Sequence, residues 1–397
     1  MDGRLRLGLE VAALAAFTLV GIALIAPRLF SPLLNPSRMT MWEAMYYTRL
    51  DGRRVQCELC FRRCIIPPGE RGFCGNRKNV DGRLYTLVYG KPAALQIDPI
   101  EKEPLFHVLS GSRILCVGTA GCNFRCSFCH NWHLSHMKIE QLKYYRLTAE
   151  ELVDLAGSHG CVGLHFTYNE PTVFYEYMLA VAKEAKRRGV YFGFHTNGAI
   201  NPEPLRELLQ YTDSVTVDLK AFDEEFYEYV TEPTERFKPS TPPLEAVLRT
   251  LRIVKEEGVW LEVVYLVIPT LNDDMGEVRE MCLWMRENLG EDVPLHFSRF
   301  IPACKLTKLP PTPVETLERA REIALEAGLR YVYIGNVPGH PAEDLYCPHC
   351  GEPLILRFQF TVMEYRLVGG RCPDCGYEIP GLWSREKVKS TGAYRKK

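Results

Sequence analysis

The stretch RILCVGTAGCNFRCSFCHNW, residues 113–132, decides how the rest of the chain is read. Ile114–Val117 is a short apolar run with β-branched residues, the pattern of a buried strand. Gly118-Thr119-Ala120-Gly121 ends it, and Cys122, Cys126 and Cys129 follow in C-x3-C-x2-C spacing on the loop. A tetrahedral zinc site wants four ligands, and no fourth cysteine is near. Three thiolates on one tight loop suit a [4Fe–4S] cluster with one iron left open to a further ligand. His130 could close a zinc set, but it adjoins Cys129 and would strain the loop. A redox C-x2-C pair leaves the third cysteine and the strand context unexplained.

Outward from this loop the pattern repeats. Further strand-like runs lie at Val162–Phe166, Val190–Phe194, Ser214–Val217, Trp260–Val267, Leu295–Ser298 and Tyr331–Ile334. Helical stretches with boundary signals separate them. Thr148 and Glu151 make a capping box, Pro171 opens Thr172–Arg188 and Gly189 closes it, and Pro243–Glu257 and Val314–Ala327 each end at a glycine. Repeated βα units specify a parallel sheet with helices outside, open or closed into a barrel. The unusual polar sequence falls after the strands: Thr167-Tyr168-Asn169-Glu170-Pro171, His195-Thr196-Asn197-Gly198, Asp218-Leu219-Lys220, Pro269–Asp273 and Arg299-Phe300. In a βα barrel those loops converge on the face that carries catalysis, so one site is implied.

Lys plus Arg number 48 and Asp plus Glu 49, so no net field gathers nucleic acid. The 15 cysteines are odd in number and mostly in metal spacings, which argues for metal centres in a reducing compartment over a disulfide framework. The lone Cys116, Cys161, Cys282 and Cys304 are expected to pack in apolar surroundings. Cys57, Cys60, Cys64 and Cys74 sit in a Gly-, Pro- and Arg-rich stretch that a metal would order, either structural zinc or an auxiliary iron–sulfur cluster. Cys347, Cys350, Cys372 and Cys375 form two C-x2-C-Gly knuckles around runs Ile355–Val362 and Glu364–Val368, the spacing of a zinc ribbon.

C-x3-C-x-aromatic-C at the end of a first barrel strand, with Phe128 as the aromatic, resembles the radical S-adenosylmethionine (SAM) superfamily. From about Met41 onward the chain resembles more narrowly the AmmeMemoRadiSam system radical SAM enzymes, relatives of the pyruvate formate-lyase activating enzymes. DPIEKEPLFH at 98–107, GCNFRCSFCHNW at 121–132, TYNEPTVFYEY at 167–177, DLKAFDEEFY at 218–227 and PPTPVETLERAREIALEAGLRYVYIGNVPG at 310–339 carry that likeness. His130 departs from it, standing where Gln is expected. The resemblance implies a partial (β/α)6-type TIM barrel and a [4Fe–4S] cluster whose open iron chelates SAM. It implies reductive cleavage to a 5′-deoxyadenosyl radical that takes hydrogen from a substrate. Glu170 with Tyr168 and Asn169 would hold the SAM ammonium, Thr196, Asn197, Asp218 and Lys220 would lie beside ribose and methionine, and Ile268–Asn272 would flank adenine. Implied partners are an electron donor such as ferredoxin or flavodoxin, and Memo-like and AMMECR1-like proteins. An activase that places a glycyl radical on a partner enzyme is the alternative within this chemistry. A zinc-binding interaction module without catalysis is the alternative outside it.

These readings divide the chain into an apolar extension (1–40), a Cys-rich segment (41–111), the core barrel (112–340), a zinc-ribbon-like domain (341–384) and a basic tail (385–397). Val11–Ala26 is uninterrupted apolar sequence, short of the ~20 residues a span wants unless Leu7–Leu9 join it with Glu10 at the interface; residues 7–26 are thus a candidate membrane anchor on a cytoplasmic body. A dispensable extension ahead of Met39 or Met41 is the competing expectation.

Overall fold

The computed structural model describes residues 41–232, 237 and 239–384. The candidate anchor at 7–26 and the basic tail lie outside them. Among the described residues no helix is long and apolar enough to cross a membrane.

All seven anticipated strand runs form strands of one sheet. An antiparallel strand β1 (Ala94–Pro99) precedes them, followed by β2 (Arg113–Gly118), β3 (Gly163–Phe166), β4 (Tyr191–Thr196), β5 (Ser214–Asp218), β6 (Trp260–Val267), β7 (Leu295–Arg299) and β8 (Val332–Gly335). Each strand pairs with its neighbour in sequence, from β1 at one edge to β8 at the other, and β2 to β8 run parallel. Right-handed crossovers in that order put every helix on one face and leave the other to line an interior. The edges do not pair, so the sheet stays open, with one more parallel strand than a six-unit barrel and β1 in addition. β1 falls inside the stretch read as the Cys-rich segment, and pairs with β2 from Ala94↔Gly118 to Pro99↔Arg113. Its proline stands at the strand end, where a missing N–H costs least.

The helices follow local signals. In α1 (Ala149–Ser158) the Thr148 hydroxyl accepts from the Glu151 N–H at 3.2 Å while the Glu151 carboxylate accepts from the Thr148 N–H at 2.8 Å, the anticipated capping box. A 3-10 turn, Pro171–Phe174, leads into α2 (Tyr175–Arg188), which Gly189 ends at φ +64°. Then come α3 (Pro202–Leu209), α4 (Glu224–Thr231), α5 (Pro243–Glu256), α6 (Met275–Asn288) and α7 (Val314–Glu326).

Small antiparallel sheets from residues 42–86 dock on the barrel. The C-terminal hairpin is β10 (Pro353–Phe358) and β11 (Thr361–Tyr365), with β9 (Leu345–Tyr346) beside it. Its turn is at Gln359-Phe360, inside the run 355–362 that the sequence presents as unbroken. Gln359 takes a left-handed φ of +55° there, and the strands pair from Phe358↔Thr361 outward. Leu345, Leu354, Ile355 and Ile379 of this domain pack on Phe106, Tyr331 and Tyr333 of the barrel.

His107 pins this junction. With a carbonyl on one side its Nδ1–H donates to Pro380 O at 2.7 Å, so its Nε2 accepts from the Tyr333 hydroxyl at 2.7 Å. Burial pushes the imidazole down to about 4. Burial also pushes His165 down to about 4. The unfolded chain binds these protons from about pH 6.5, so stability is full above that and falls as pH drops to the folded values, by at most about 3 kcal/mol per histidine. Melting temperature is therefore expected to decline from pH 6.5 toward 5, before carboxylates titrate. The His107→Gln variant should show a shallower decline, and an unchanged slope would assign the titration elsewhere.

Candidate functional site

The loops after β2 to β5 wall a single cavity of about 720 Å³. Cys122, Cys126 and Cys129 open onto it, as do Tyr168, Asn169 and Glu170 after β3, Thr196 and Asn197 at the end of β4, and Asp218 and Lys220 at the end of β5. Residues more than 90 positions apart therefore share one wall. Phe128 is not on it: its ring is buried against Phe226 and carries the Lys220 ammonium 5.9 Å over its face. Ile268–Asn272 do not line it either. Asn272 instead closes its own loop, its amide donating to Lys220 O at 2.6 Å and Leu266 O at 2.8 Å.

The cysteine loop is held from several sides. Asn169 accepts from the Thr119 N–H at 3.0 Å and donates to Gly121 O at 2.7 Å, tying the β3 loop to the β2 loop. Gly121 has φ +88°, and a Cβ there would stand 2.4 Å from Cys74 O, so only glycine admits this approach. Burial pushes the Cys126 thiol up to about 12 and the Cys122 and Cys129 thiols upward too. Such thiols ionise against a metal and release their protons as it binds. His130 faces away from the three sulfurs: it is exposed, and its Nε2 is 3.1 Å from Ile301 O.

The Glu170 carboxylate is buried. Its Oε1 accepts from the Thr172 N–H at 3.0 Å, the Thr172 hydroxyl and the Thr196 hydroxyl at 2.8 Å, while Oε2 accepts only the Asn197 N–H at 2.8 Å. Burial raises its pKa against those donors. One acceptor position on Oε2 is therefore spare, beside the cysteine loop. Asn197 also donates to Asn123 Oδ1 at 2.7 Å.

A row of alternating charges follows. Lys220 donates to Asp218 at 2.8 Å, Asp218 holds His195 Nε2 at 2.8 Å, and His195 Nδ1 lies 3.6 Å from Glu103. Burial works against the His195 cation, but Asp218 and then Glu103 carry its pKa up to about 10. For Glu103 burial is outweighed, first by the His195 hydrogen bond, and its carboxyl sits at about 2. Asp218 is likewise held low, Lys220 outweighing burial. Glu103 and His195 line the cavity and were not among the anticipated site residues. His195 stands directly before Thr196, the signal that could have found it; Glu103 reaches in from ahead of β2. Cys116 packs as expected in the apolar cluster of Ile100, Leu105, Val108 and Ile114 and also donates to Glu103 at 3.4 Å; Cys304 is half-buried on the segment whose Lys305 N–H donates to Ser127 O, beside the cysteine loop. Cys161 and Cys282 are buried as expected.

A second cavity of about 360 Å³ shares Lys102, Asn131, His195, Asp218 and Lys220 with the first and reaches Gln359 and Phe360 at the tip of the C-terminal hairpin. In that C-terminal domain the sulfurs of Cys347 and Cys375 are 3.6 Å apart and those of Cys350 and Cys372 3.7 Å, all four within 4.8 Å. Zn–S bonds of about 2.3 Å at tetrahedral angles put sulfurs roughly 3.8 Å apart, so this donor set fits zinc as it stands.

Residues 116–282 match the model of the Radical SAM superfamily. An uncharacterized protein of Methanocaldococcus jannaschii, MJ0808, is 44% identical over 341 residues, which is 85% of this chain and 99% of that protein. The pyruvate formate-lyase-activating enzyme of Clostridium pasteurianum is 27% identical over 174 residues, 41% of this chain and 64% of its own length. Among solved structures, Streptococcus suis SuiB bound to S-adenosylmethionine aligns with TM-score 0.44 at 13% identity, covering 64% of this chain and 58% of that one. With its three-cysteine loop at the end of β2 and an open α/β sheet behind it, this chain belongs to the radical SAM superfamily.

Proposed function

We propose that the chain is a radical SAM oxidoreductase acting on a small substrate held in the cavity of about 360 Å³ beside the SAM site. The single observation that carries this is that Cys122, Cys126 and Cys129 share one cavity with Glu170, Thr196, Asn197, Asp218 and Lys220. Cys122, Cys126 and Cys129 would hold a [4Fe–4S] cluster, which together with SAM would supply the 5′-deoxyadenosyl radical chemistry that takes a hydrogen atom from substrate. The protein's part is binding, orientation and exclusion of water. The spare acceptor position on Glu170 Oε2 takes the SAM ammonium, with the backbone of Tyr168 and Asn169 beside it. Thr196, Asn197, Asp218 and Lys220 flank ribose and methionine, and Phe128 acts beneath Lys220 by fixing its ammonium. The locked His195 cation between Glu103 and Asp218 keeps this wall rigid and charge-balanced, and it borders both cavities. Zinc at Cys347, Cys350, Cys372 and Cys375 holds the hairpin whose turn closes the substrate cavity.

Electrons come from a low-potential donor of the ferredoxin or flavodoxin class, and Memo-like and AMMECR1-like proteins are the partners this reading implies. The near-even charge supports no nucleic acid partner, and the metal-type cysteine spacings suit a reducing, cytoplasmic setting. A glycyl-radical activase is the second reading, favoured by the relatives named pyruvate formate-lyase-activating enzyme. It requires a polypeptide loop to enter the same cavity.

The test is anaerobic reconstitution of the full chain, reduction with dithionite in the presence of SAM, and chromatography for 5′-deoxyadenosine. The expected result is 5′-deoxyadenosine formation dependent on both reductant and SAM. A chain with the cluster intact by spectroscopy and with substrate-containing extract added that still yields none would overturn the assignment.

A further inference from the structure

The chain carries two four-cysteine sets, and they are built differently. In the C-terminal set all four sulfurs already lie within 4.8 Å of one another. Among the described residues the N-terminal set, Cys57, Cys60, Cys64 and Cys74, is not among the groups whose ligand atoms close to that distance. Its four cysteines instead surround an internal cavity, walled otherwise by side chains such as Ile66, Phe73 and Val173. Zinc draws its thiolates to roughly 3.8 Å and leaves no void among them. A cube of iron and sulfide holds its thiolates further apart and fills the space between.

The surroundings suit a centre whose charge changes. Two buried arginines flank the cavity, with Arg77 Nη1 3.9 Å from Cys57 Sγ and Arg62 on the same wall. Zinc keeps one charge state, whereas a reduced cluster adds a buried negative charge that nearby cations and hydrogen bonds to sulfur stabilise.

Position is the third observation. Asn123, which follows Cys122, and Thr172, which donates to Glu170, form part of the cavity wall. Arg62 Nε donates to Asn123 O at 2.6 Å, and Gly121 sits against Cys74 O. The N-terminal cavity and the SAM cavity are thus separated by one layer of residues.

We propose that Cys57, Cys60, Cys64 and Cys74 hold a second [4Fe–4S] cluster, directly behind the SAM-binding one, through which the electron enters. This rests on the radical SAM reading above. A one-electron donor of the ferredoxin or flavodoxin class reduces the second cluster. That electron passes to the first and is consumed as the S–C5′ bond breaks to methionine and the 5′-deoxyadenosyl radical, returning both clusters to the oxidised state.

Metal analysis and spectroscopy of the full chain, reconstituted anaerobically, test this. The wild type should hold about eight iron atoms and a single zinc, and the variant with Cys122, Cys126 and Cys129 all changed to Ala should keep about four iron atoms and the zinc. Its reduced electron paramagnetic resonance signal should not respond to SAM. In the reduced wild type the two signals should show magnetic interaction, as neighbouring clusters do. A wild type with about four iron atoms and two zincs would overturn the proposal even if the triple variant failed to fold. Two clusters with no magnetic interaction would overturn the electron path. If SAM is not cleaved while the triple variant keeps its cluster, the enzyme reading fails and this site stands.

Discussion

The Cys126→Ala variant is expected to lose 5′-deoxyadenosine formation down to background and to bind about four fewer iron atoms per chain than the wild type. Cys126 is buried, and burial holds its thiol near 12, so it carries charge only against a metal. Alanine removes one of the three cysteines proposed to hold the cluster, and His130, turned toward Ile301 O, does not stand in for it. The loop itself should survive. Its backbone is anchored by the Arg125 N–H to Val230 O at 3.1 Å and by the Lys305 N–H to Ser127 O at 2.7 Å. Zinc content and circular dichroism serve as the folding control, since the C-terminal set is remote from this loop in sequence. Full cleavage by a correctly folded Cys126→Ala chain would remove the cluster from this site.

The three-cysteine loop is legible in the sequence because Cys122, Cys126 and Cys129 lie within eight residues on a loop that a strand positions. The parts of the wall that follow strands, Glu170, Thr196, Asn197, Asp218 and Lys220, are legible for the same reason: a parallel strand end tells which face its next residue joins. Glu103 obeys no such rule. It comes from the irregular stretch between β1 and β2, and only the fold brings it to His195, 92 positions later. β1 itself escapes notice because a strand ending in Pro99 inside a Gly- and Pro-rich stretch resembles a loop. Phe128 shows the opposite error, a motif residue that is placed correctly on the loop yet points beneath the site. The difference between the two four-cysteine sets could not be read from spacing, since C-x2-C serves zinc and iron–sulfur alike. It appears only as the distance between sulfurs and the void among them.

The N-terminal cysteines depend on a buried ion pair that borders their cavity. Arg77 and Glu176 form an ion pair with side chains 2% and 1% exposed, joining the Cys-rich segment to α2. The Glu176 carboxylate also accepts from the Met45 N–H at 2.8 Å, and Arg77 donates to Met45 O at 3.0 Å. Burial opposes the Arg77 cation, and Glu176 is the largest influence restoring it. Glu176→Gln strands that cation without a countercharge, which costs about 3–5 kcal/mol when a buried pair is broken from one side. The expected result is a lowered urea midpoint together with faster loss of metal from the N-terminal cysteines to a chelator, while the zinc of Cys347, Cys350, Cys372 and Cys375 is retained. The paired variant Arg77→Met with Glu176→Met should recover most of the stability, because it removes both charges and keeps the volume filled. A midpoint shift for Glu176→Gln no larger than an exposed pair gives, about 1 kcal/mol or less, would mean that water reaches this joint and that the segment is held instead by its backbone contacts to Ala199 and Asn201 and by the Arg62 side chain on Asn123 O.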